Sequence, residues 1–234
     1  MKTSCCAAAA LVAAGLGACT AQIQNRVATA QQIVTAFGPE DFVFSLGGPE
    51  PLNPVDGFEI RGASLNELPA LDGKGVSMAL VNLDACTINL PHVHPRATEM
   101  LYMIEGDLIS GFVEENGGEG AVLNDITQGD VTFFPQGLIH YEQNLECFPA
   151  TFLSALSSED PGAVTITTRF FELPSEAIQA SLNLNDPELE ALLSGLSQSP
   201  AEARRECLRR CGLPQTAVAR TSSSDSNGDD HPRA

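Results

Sequence analysis

Turn-forming residues interrupt this chain at short intervals between residues 58 and 171, and the spacing leaves room only for short strands. The turns lie at Asp72-Gly73, Glu105-Gly106-Asp107, Asn116-Gly117-Gly118, Gln128-Gly129-Asp130 and Pro135-Gln136-Gly137. The segments between them are apolar or alternate apolar with polar residues, as half-buried strands do. Closely spaced short strands of this kind are typical of an all-β sandwich or barrel.

The same pattern of turns and apolar residues predicts the position of each strand and of the flanking helices. We expect strands at residues 58–61, 75–83, 87–93, 98–104, 107–114, 131–134, 139–143, 149–156 and 165–171. A helix is predicted at 23–37, before Gly38-Pro39. Capping residues and prolines predict three helices after Leu173. These open at Pro174-Ser175-Glu176, Asp186-Pro187-Glu188 and Ser199-Pro200-Ala201-Glu202, and Gly212 ends the last.

The chain therefore divides into segments of different character. We predict a signal peptide at 1–21, an N-terminal extension at 22–50, a β-barrel at 51–172, a helical region at 173–219 and a disordered tail at 220–234. The leader combines Lys2, an apolar run and a small-residue cleavage site near Ala21. A lipoprotein box at Leu16-Gly17-Ala18-Cys19, which would leave Cys19 lipidated, is the alternative reading. Either one implies export.

The net charge excludes several classes of partner. Thirty acidic residues against 12 basic ones give a formal charge of −18. Nucleic acid and anionic membrane surfaces both require a basic surface. We therefore expect a small-molecule substrate, with no nucleic-acid partner and no membrane association after the signal peptide is cleaved.

Removal of the leader leaves an even set of cysteines, namely Cys86, Cys147, Cys207 and Cys211. Four cysteines allow three pairings, and disulfides are the usual state in an exported protein. We expect a Cys86–Cys147 bridge, because these residues flank the two histidine motifs described next. Cys207 and Cys211, four residues apart in a helical segment, are a possible local pair. The alternative is that all four are reduced and packed in the core.

Three of the four histidines lie in two compact motifs. His92 and His94 occupy alternate positions of a predicted strand and so share one face. Glu99 follows after a short connection, and a closed barrel brings the distant His140 to the same place. Three imidazoles and a carboxylate suit Mn²⁺ or Fe²⁺, with two open positions on an octahedral ion. The absence of thiolates from the motifs argues against structural zinc.

These motifs resemble the germin-like proteins of the cupin superfamily, close to the spherulin-type branch. The first runs from His92 through His94 and Glu99 to Gly106, and the second from Gly129-Asp130 through His140 to Asn144. The unbroken segment from His94 to Glu99 and the later segment 158–162 narrow the match to germins. The resemblance implies a cupin jelly-roll barrel with an N-terminal extension and C-terminal helices. It also implies manganese bound by the four ligands, secretion, and a homo-oligomer such as a dimer, trimer or hexamer.

The resemblance suggests an oxidoreductase. Germins include manganese superoxide dismutases and oxalate oxidases, and the latter use two active-site asparagines. Asn89 matches one and is our candidate substrate-binding residue, but Ala79 stands where the other is expected. Superoxide is therefore the first choice and oxalate the second. We expect Asn144 to support the metal ligands, with a simple turn role as the alternative.

Other residues near the two motifs are expected to have structural roles. We expect Phe133, Phe134, Leu138, Met100 and Met103 to line the barrel or its core. Arg96 is expected to form a salt bridge at a subunit or strand contact, with a catalytic role as the alternative.

Two other functions remain open at this point. One is a non-catalytic, metal-stabilised extracellular or stress protein of the spherulin kind. The other is a module that binds a sugar or hormone in the mouth of the barrel. The ligand set does not distinguish among manganese, iron, nickel and copper.

Overall fold

The computed structural model describes residues 30–48, 52–55, 57–196 and 199–214. The described residues form an antiparallel β-sandwich with few helices, so the predicted fold class is confirmed. The predicted signal peptide at 1–21, the tail at 220–234 and the predicted helix before Ala30 lie outside the described residues.

The strands and helices are short, as the turn spacing predicts. The strands are β1 Leu52–Val55, β2 Phe58–Ala63, β3 Ser77–Leu83, β4 Thr87–Val93, β5 Glu99–Glu105, β6 Asp107–Val113, β7 Ala121–Thr127, β8 Val131–Phe134, β9 His140–Gln143, β10 Ala150–Leu156, β11 Val164–Thr165 and β12 Ala201–Ala203. The helices are α1 Ala30–Ala36, α2 Ile166–Phe170, α3 Ser175–Leu182, α4 Asp186–Ser194 and α5 Arg205–Arg210. No helix in this part of the chain is long and apolar enough to cross a membrane.

Two sheets face each other. One has the strand order β1-β2-β3-β10-β5-β8, and the other has the order β11-β4-β9-β6-β7. Strand β12 also pairs with β4, at residues 87–89, and β11 pairs with β4 at residues 92–93. Because β9 occupies the opposite edge of β4, β11 and β12 share one edge. Strand β4 thus joins the sandwich to the C-terminal region.

Alternation along the strands builds the core. In β3 every second residue from Ser77 to Leu83 is buried, and in β5 Leu101 and Met103 are buried while their neighbours are exposed. Successive side chains of a strand point to opposite faces, so one face of each sheet fills the interior. The core between the sheets contains Phe58, Val81, Leu83, Leu101, Met103, Leu108, Ile126, Phe134 and Phe152.

Two predictions about β4's neighbours are wrong. The segment 165–171 was expected to be a strand, but pairing stops at Thr165 and helix α2 follows. A third C-terminal helix was expected to open at Ser199, but Ala201–Ala203 is a strand and α5 begins only at Arg205. The first error arises because the rest of that edge of β4 is already paired with β12 and with the Pro200 carbonyl, so β11 cannot continue along it. The second arises because pairing of Ala201–Ala203 with β4 outweighs the helix-start pattern at Ser199. Local propensity reveals neither contact.

The sequence patterns also missed β7 and misplaced two side chains. In β7 only Ile126 is buried, so this edge strand has no alternating apolar pattern to detect. We expected Met100 and Phe133 to line the barrel, but they are 54% and 57% exposed. Each lies on the outer face of its strand, next to a residue that points inward. Met103 and Phe134 are buried, as expected.

Helix α5 ends as predicted. Gly212 has a φ of +66°, the left-handed conformation that favours glycine just after a helix. The Gly212 N–H donates to the Arg209 carbonyl, and the Leu213 N–H donates to the Leu208 carbonyl. This pair of bonds is a Schellman motif, which satisfies the last carbonyls of the helix.

The predicted disulfide pairing is wrong. Cys86 bonds to Cys207, and Cys147 bonds to Cys211. The expected pairs Cys86–Cys147 and Cys207–Cys211 therefore do not form, although all four cysteines are oxidised. The reason is the position of α5. Cys207 in α5 and Cys211 just after it lie one helical turn apart on the same side, so each reaches a different cysteine of the barrel. The Arg204 N–H donates to the Cys86 carbonyl at 2.7 Å, which fixes the start of α5 against the start of β4.

Replacing both Cys147 and Cys211 with serine tests this arrangement. Removing the bridge should lower the free energy of unfolding by about 2–4 kcal/mol, because the unfolded chain gains freedom. Denaturant unfolding measures the change. Peptide mapping under non-reducing conditions should find Cys86 linked to Cys207 in both proteins. A wild-type peptide that links Cys86 to Cys147 would contradict the structure.

Candidate metal centre

Four side chains with metal-binding atoms meet inside the sandwich. The donor atoms of His92, His94, Glu99 and His140 all lie within 4.8 Å of one another. The Nε2 atoms of His94 and His140 are 3.0 and 3.3 Å from the same carboxylate oxygen, Glu99 Oε2. Donors bound to one ion at about 2.1 Å are separated by about 3–4 Å. The structure therefore brings together the four residues that the sequence singled out.

Strand pairing places three of these side chains. His92 on β4 lies directly opposite His140 on β9, and their ring centroids are 4.2 Å apart. His94 follows two residues later, just beyond the end of β4. Glu99 begins β5 in the other sheet, so the site joins both sheets. All four are buried except His94, which retains 15% exposure of its side chain and marks the open side of the site.

A bulge in β4 sets the direction of His92. Asn89 pairs with Glu142 and His92 pairs with His140, so β4 takes three steps where β9 takes two. The extra residue falls at Leu90-Pro91, where proline lacks the N–H that a regular ladder would need. As a result the side chains of Asn89 and His92 point to the same face of the sheet. In a regular strand, residues three apart would point to opposite faces. The Leu90 N–H donates to the Pro200 carbonyl instead.

Hydrogen bonds from the rings fix the tautomer of each histidine. The Nδ1 atoms of His92 and His140 lie 2.9 Å from the carbonyls of Leu90 and Leu138, and Nδ1 of His94 lies beside the Gly162 carbonyl. A carbonyl only accepts, so each Nδ1 carries the proton and donates it. Each Nε2 is then left with a lone pair that faces the centre of the site. This arrangement is the one expected of histidines that ligate metal.

The carboxylate in the centre lacks the hydrogen bonds that burial normally demands. Glu99 Oε2 and His140 Nε2 are buried and have no hydrogen-bond partner. Lone pairs at 3.0–3.3 Å from one another repel unless a cation or proton lies between them. A divalent cation at this point would satisfy all four donors, so the residues fit a metal ion.

The pKa values of these groups follow from burial and from their neighbours. Burial, and then the charge of His140, lowers the pKa of His92 from 6.5 to about 3. Burial alone would also lower the pKa of His94, but the hydrogen bond and charge of Glu99 outweigh it and raise that pKa. For Glu99, burial raises the pKa, but the adjacent imidazoles of His140 and His94 stabilise the charged carboxylate more strongly, so its pKa falls well below 4.5. In the absence of metal, a proton on His94 can take the cation's place.

Two residues that sequence reasoning missed support the ligands. The Ser154 hydroxyl on β10 donates to Glu99 Oε1, which aims Oε2 at the histidines. The Phe134 ring stacks on His140 with centroids 4.5 Å apart and planes 12° apart. The serine gives no signal in the sequence because its role depends on the β5–β10 pairing. Phe134 was expected only as a core residue.

The loop 157–162 lies beside His94 and holds its ring through the Gly162 carbonyl. Arg96 forms a salt bridge with Asp160 at 2.9 Å and also donates to the Asp160 carbonyl at 2.7 Å. Gly162 has a φ of +66°, and a Cβ there would come within 2.8 Å of the Arg96 guanidinium. The left-handed backbone at position 162 favours glycine, and the carbonyl of this glycine accepts the hydrogen bond from His94 Nδ1. The salt bridge predicted for Arg96 thus serves to position a loop.

Half-buried Asn89 and fully buried Glu142 form a polar pair beside the histidines. Asn89 Nδ2 donates to Glu142 Oε2 at 2.8 Å. Burial, and then the charge of Glu99, raises the pKa of Glu142 well above 4.5, although the bond from Asn89 opposes the shift. Asn89 is half-buried, and its binding of substrate stays a prediction. The spacing of Glu142, two residues after His140 on one strand, was the available signal for this residue.

The predicted support of the ligands by Asn144 is wrong. Its side-chain amide donates to the carbonyls of Leu83, Asp84 and Phe148 and accepts from the Glu146 N–H. All these groups belong to the backbone, and none belongs to a ligand. Asn144 is fully buried. Its hydrogen bonds join the end of β3 to the turn after β9. This is the turn role that we considered as the alternative.

Comparisons with known proteins agree with this geometry. The sequence profile of the family Cupin matches residues 44–190. Spherulin-1B of Physarum polycephalum is 42% identical over 153 residues, 64% of this chain and 60% of that protein. A probable germin-like protein, subfamily 2 member 5, of Arabidopsis thaliana is 34% identical over 160 residues, 68% of this chain and 74% of that protein. This chain spans 60–61% of the length of the two spherulins that it matches.

The fold is also found among solved structures. A recombinant oxalate oxidase in complex with glycolate superposes with a TM-score of 0.58 at 23% identity, covering 68% of this chain and 84% of that one. An oxalate decarboxylase from Bacillus subtilis, solved at pH 4.6, superposes with a TM-score of 0.58, also at 23% identity. At this level of identity the likeness shows a common fold.

The pKa shifts predict how acid affects the metal-free protein. A histidine with a lowered folded pKa adds stability above its unfolded pKa and loses it as the pH falls. After treatment with a chelator, the free energy of unfolding should therefore begin to fall near pH 6.5, and it should fall steadily between pH 6 and 4.5, where His92 is mostly protonated in the unfolded chain and neutral in the folded one. His94, whose pKa is raised, is protonated in both states there and adds no slope. Glu99 contributes to a further loss below about pH 4.5.

Denaturant unfolding at several pH values measures this slope, with His92→Gln as the comparison. The glutamine does not titrate, so the slope between pH 6 and 4.5 should be smaller in the variant. Identical slopes in the two proteins would contradict the assignment to His92.

Proposed function

Because this chain belongs to the cupin family, as a germin-like member with spherulin-type relatives, we propose that it is a secreted manganese-binding oxidoreductase. Superoxide is the proposed substrate, and oxalate is the second candidate. The observation that supports this is the convergence of three imidazole Nε2 lone pairs on Glu99 Oε2. Such a donor set suits a redox-active divalent ion.

The choice of manganese rests on the donor types. Three nitrogens and one oxygen suit Mn²⁺, and Fe²⁺ is the alternative. Thiolates do not compete, because Cys86, Cys147, Cys207 and Cys211 are all in disulfides. A bound manganese ion would supply one-electron chemistry by cycling between two oxidation states.

The chain's own residues would hold the ion and limit access to it. Backbone carbonyls keep the three rings in the binding tautomer, and Ser154 keeps Glu99 in place. Four protein donors leave two positions of an octahedral ion open to substrate. The Phe134 ring against His140 keeps water from that side, while the partly exposed His94 leaves an entrance.

The lining of the interior favours the smaller substrate. Ala79 is buried on β3 directly opposite Ser154, and its methyl group offers no hydrogen bond. A dicarboxylate would need donors at its second end, as a substrate's polar groups must be matched inside a closed site. Superoxide needs only the open positions on the metal. This difference supports superoxide over oxalate.

Secretion is part of the same proposal. Two disulfides join α5 to the barrel, and disulfides persist in oxidising compartments outside the cytosol. The leader-like sequence at 1–21 is consistent with export.

Replacing His140 with alanine tests the proposed function. The change removes one of four donors, so manganese affinity should fall at least about 100-fold and superoxide dismutation should be lost. Elemental analysis and a superoxide assay give the two readouts, and an oxalate oxidation assay runs beside them. Tyr141→Phe is the control, because Tyr141 is the adjacent residue on the opposite face. Wild-type protein with full manganese occupancy and neither activity would overturn the proposal.

The alternative is a non-catalytic protein stabilised by its metal. The 42% identity to a spherulin favours it, since that is the highest identity among the relatives described above. The two functions predict different results for His140→Ala. A structural metal predicts a large fall in melting temperature on metal loss and no activity in the wild type. An enzyme predicts lost activity with the fold retained.

We also propose that the protein forms a homo-oligomer through the outer face of β5 and β8. Met100 pairs with Phe133 and Tyr102 pairs with Val131 across these strands. All four side chains are 45–58% exposed. Because β8 is the edge of its sheet, this apolar face is open, and such faces usually mark interfaces. A second copy of the chain is the occupant we propose.

Phe133→Glu places a charge in the centre of this face. The mass in solution, measured by light scattering after size exclusion, should fall to that of a single chain, because an unpaired charge at an interface is strongly disfavoured. Leu123→Glu is the matched control, since Leu123 is 60% exposed on the other sheet. An equal effect of both variants, or of neither, would contradict the assignment.

A further inference from the structure

Basic residues cluster around α5 in a chain that is otherwise strongly acidic. Arg204 comes just before this helix, and Arg205, Arg209 and Arg210 lie within it. These are four of the 12 basic residues of the chain, which also carries 30 acidic ones. The cluster lies beyond residues 44–190, which the family profile matches. Membership of the family therefore does not account for it.

Three of these arginines line a cavity beside α5. The cavity has a volume of about 520 Å³, within the range of about 300–1,000 Å³ that is usual for ligand sites. It is lined by Arg204, Arg209, Arg210, Glu206, Leu145 and Cys207. Three guanidinium groups and one carboxylate give this lining a net charge of +2, and the leucine and the disulfide-bonded cysteine are apolar. Such a cavity suits an anion with two negative charges and a small organic part.

The charge of these three arginines is not compensated by neighbouring carboxylates. Within the described part of the chain, Arg61, Arg96 and Arg169 each form a salt bridge with a carboxylate, whereas the arginines of the cavity form none. Glu206 lines the same cavity but does not lie within ion-pair distance of them. Uncompensated charges of one sign around a cleft concentrate ions of the opposite sign there.

The backbone that carries the arginines is fixed before any ligand binds. Two disulfides join α5 and the residue after it to the barrel. Arg210 donates to the Leu145 carbonyl, and its guanidinium lies 3.6 Å from Cys207 Sγ. A guanidinium has five N–H donors, so most of those on Arg210 remain available to a ligand. A site that is already in place loses less conformational entropy when it binds.

Three arginines at one cavity favour a phosphoryl group over a carboxylate. A phosphate monoester carries a charge of about −1.5 to −2 at pH 7 and presents three acceptor oxygens. A carboxylate carries one charge and two oxygens. Guanidinium groups bind phosphate oxygens through pairs of parallel hydrogen bonds. A phosphoryl dianion can therefore accept from several arginines at once and neutralise the charge of the lining.

We propose that Arg204, Arg209 and Arg210 form a binding site for a phosphoryl dianion, carried by free phosphate or by a small phosphate monoester. The volume favours the monoester, because a phosphoryl group alone would leave most of the cavity unfilled. The leucine and the disulfide then contact the organic part.

This site is separate from the metal centre and does not rest on the proposed function. Cys207 is bonded to Cys86, which comes just before β4. His92 lies six residues further along that strand. At about 3.3 Å per residue, the two sites are about 20 Å apart along β4.

Calorimetric titration of the metal-loaded protein at low salt tests the site. The probes are glucose 6-phosphate, inorganic phosphate and glucose. Glucose 6-phosphate should bind, and glucose should not. Inorganic phosphate distinguishes the two sources: weaker binding than glucose 6-phosphate identifies a monoester site, and equal binding identifies a site for free phosphate. Failure of both phosphates to bind would overturn the proposal.

Two substitutions assign the binding to the cavity. Arg204→Gln and Arg209→Gln each remove one charged donor from an exposed position, so each should weaken the binding of glucose 6-phosphate about tenfold. Arg169→Gln is the matched control, because it changes the charge equally on an exposed helical arginine outside the cavity. This variant should keep the affinity of the wild type. Unchanged affinity in both cavity variants, or an equal loss in all three, contradicts the assignment.

A crystal structure of the wild type with glucose 6-phosphate locates the phosphoryl group without any variant. Its oxygens should lie within hydrogen-bond distance of Arg204 and Arg209. A phosphoryl group found only at the metal centre would overturn the site beside α5 and leave the proposed function intact. A protein that holds no metal but binds the phosphate beside α5 would overturn only the proposed function.

Discussion

The pairing of β4 with β9 is the contact on which the site and much of the C-terminal region depend. It sets His92 opposite His140, and two residues further it sets Asn89 opposite Glu142. The bulge at Leu90-Pro91 makes both alignments possible, because it adds the one residue that turns Asn89 inward. The other edge of β4 accepts β11 and β12. One strand thus sets the alignment of the two histidines, the pairing of Asn89 with Glu142 and the attachment of β11 and β12.

The carbonyls around the site matter as much as its side chains. Each histidine ring donates to a main-chain oxygen, and two of these oxygens, those of Leu90 and Leu138, lie two residues before their histidine. The third belongs to Gly162, in a loop that Arg96 holds through Asp160. Backbone carbonyls therefore hold the three rings in the orientation that binds metal, independently of the ion. Preorganisation of this kind lowers the cost of binding metal.

Much of the fold could be predicted from the sequence, because turns and alternation are local properties. The strands at Ser77–Leu83 and Glu99–Glu105 were predicted from apolar or alternating runs between turns, and their burial does alternate with a period of two. The failures share a physical cause, which is long-range pairing with β4. β11 stops after Thr165 because the rest of that edge pairs with β12, and Ala201–Ala203 becomes a strand because it pairs with β4. The cysteine pairs were misassigned for a similar reason: the position of α5 against β4 decides them, and spacing in sequence does not reveal it.

The sequence by itself determined which residues could bind a metal, because the chain has only four histidines and the spacing of His92 and His94 on a strand places them on one face. It also determined the β-rich class of the fold through its turns. Only the tertiary structure decided that His140 meets His92 and that Asn144 supports backbone turns instead of ligands. It alone placed Arg204, Arg209 and Arg210 around one cavity beside α5. Contacts between strands far apart in sequence depend on register, and a single bulge changes which side chains share a face.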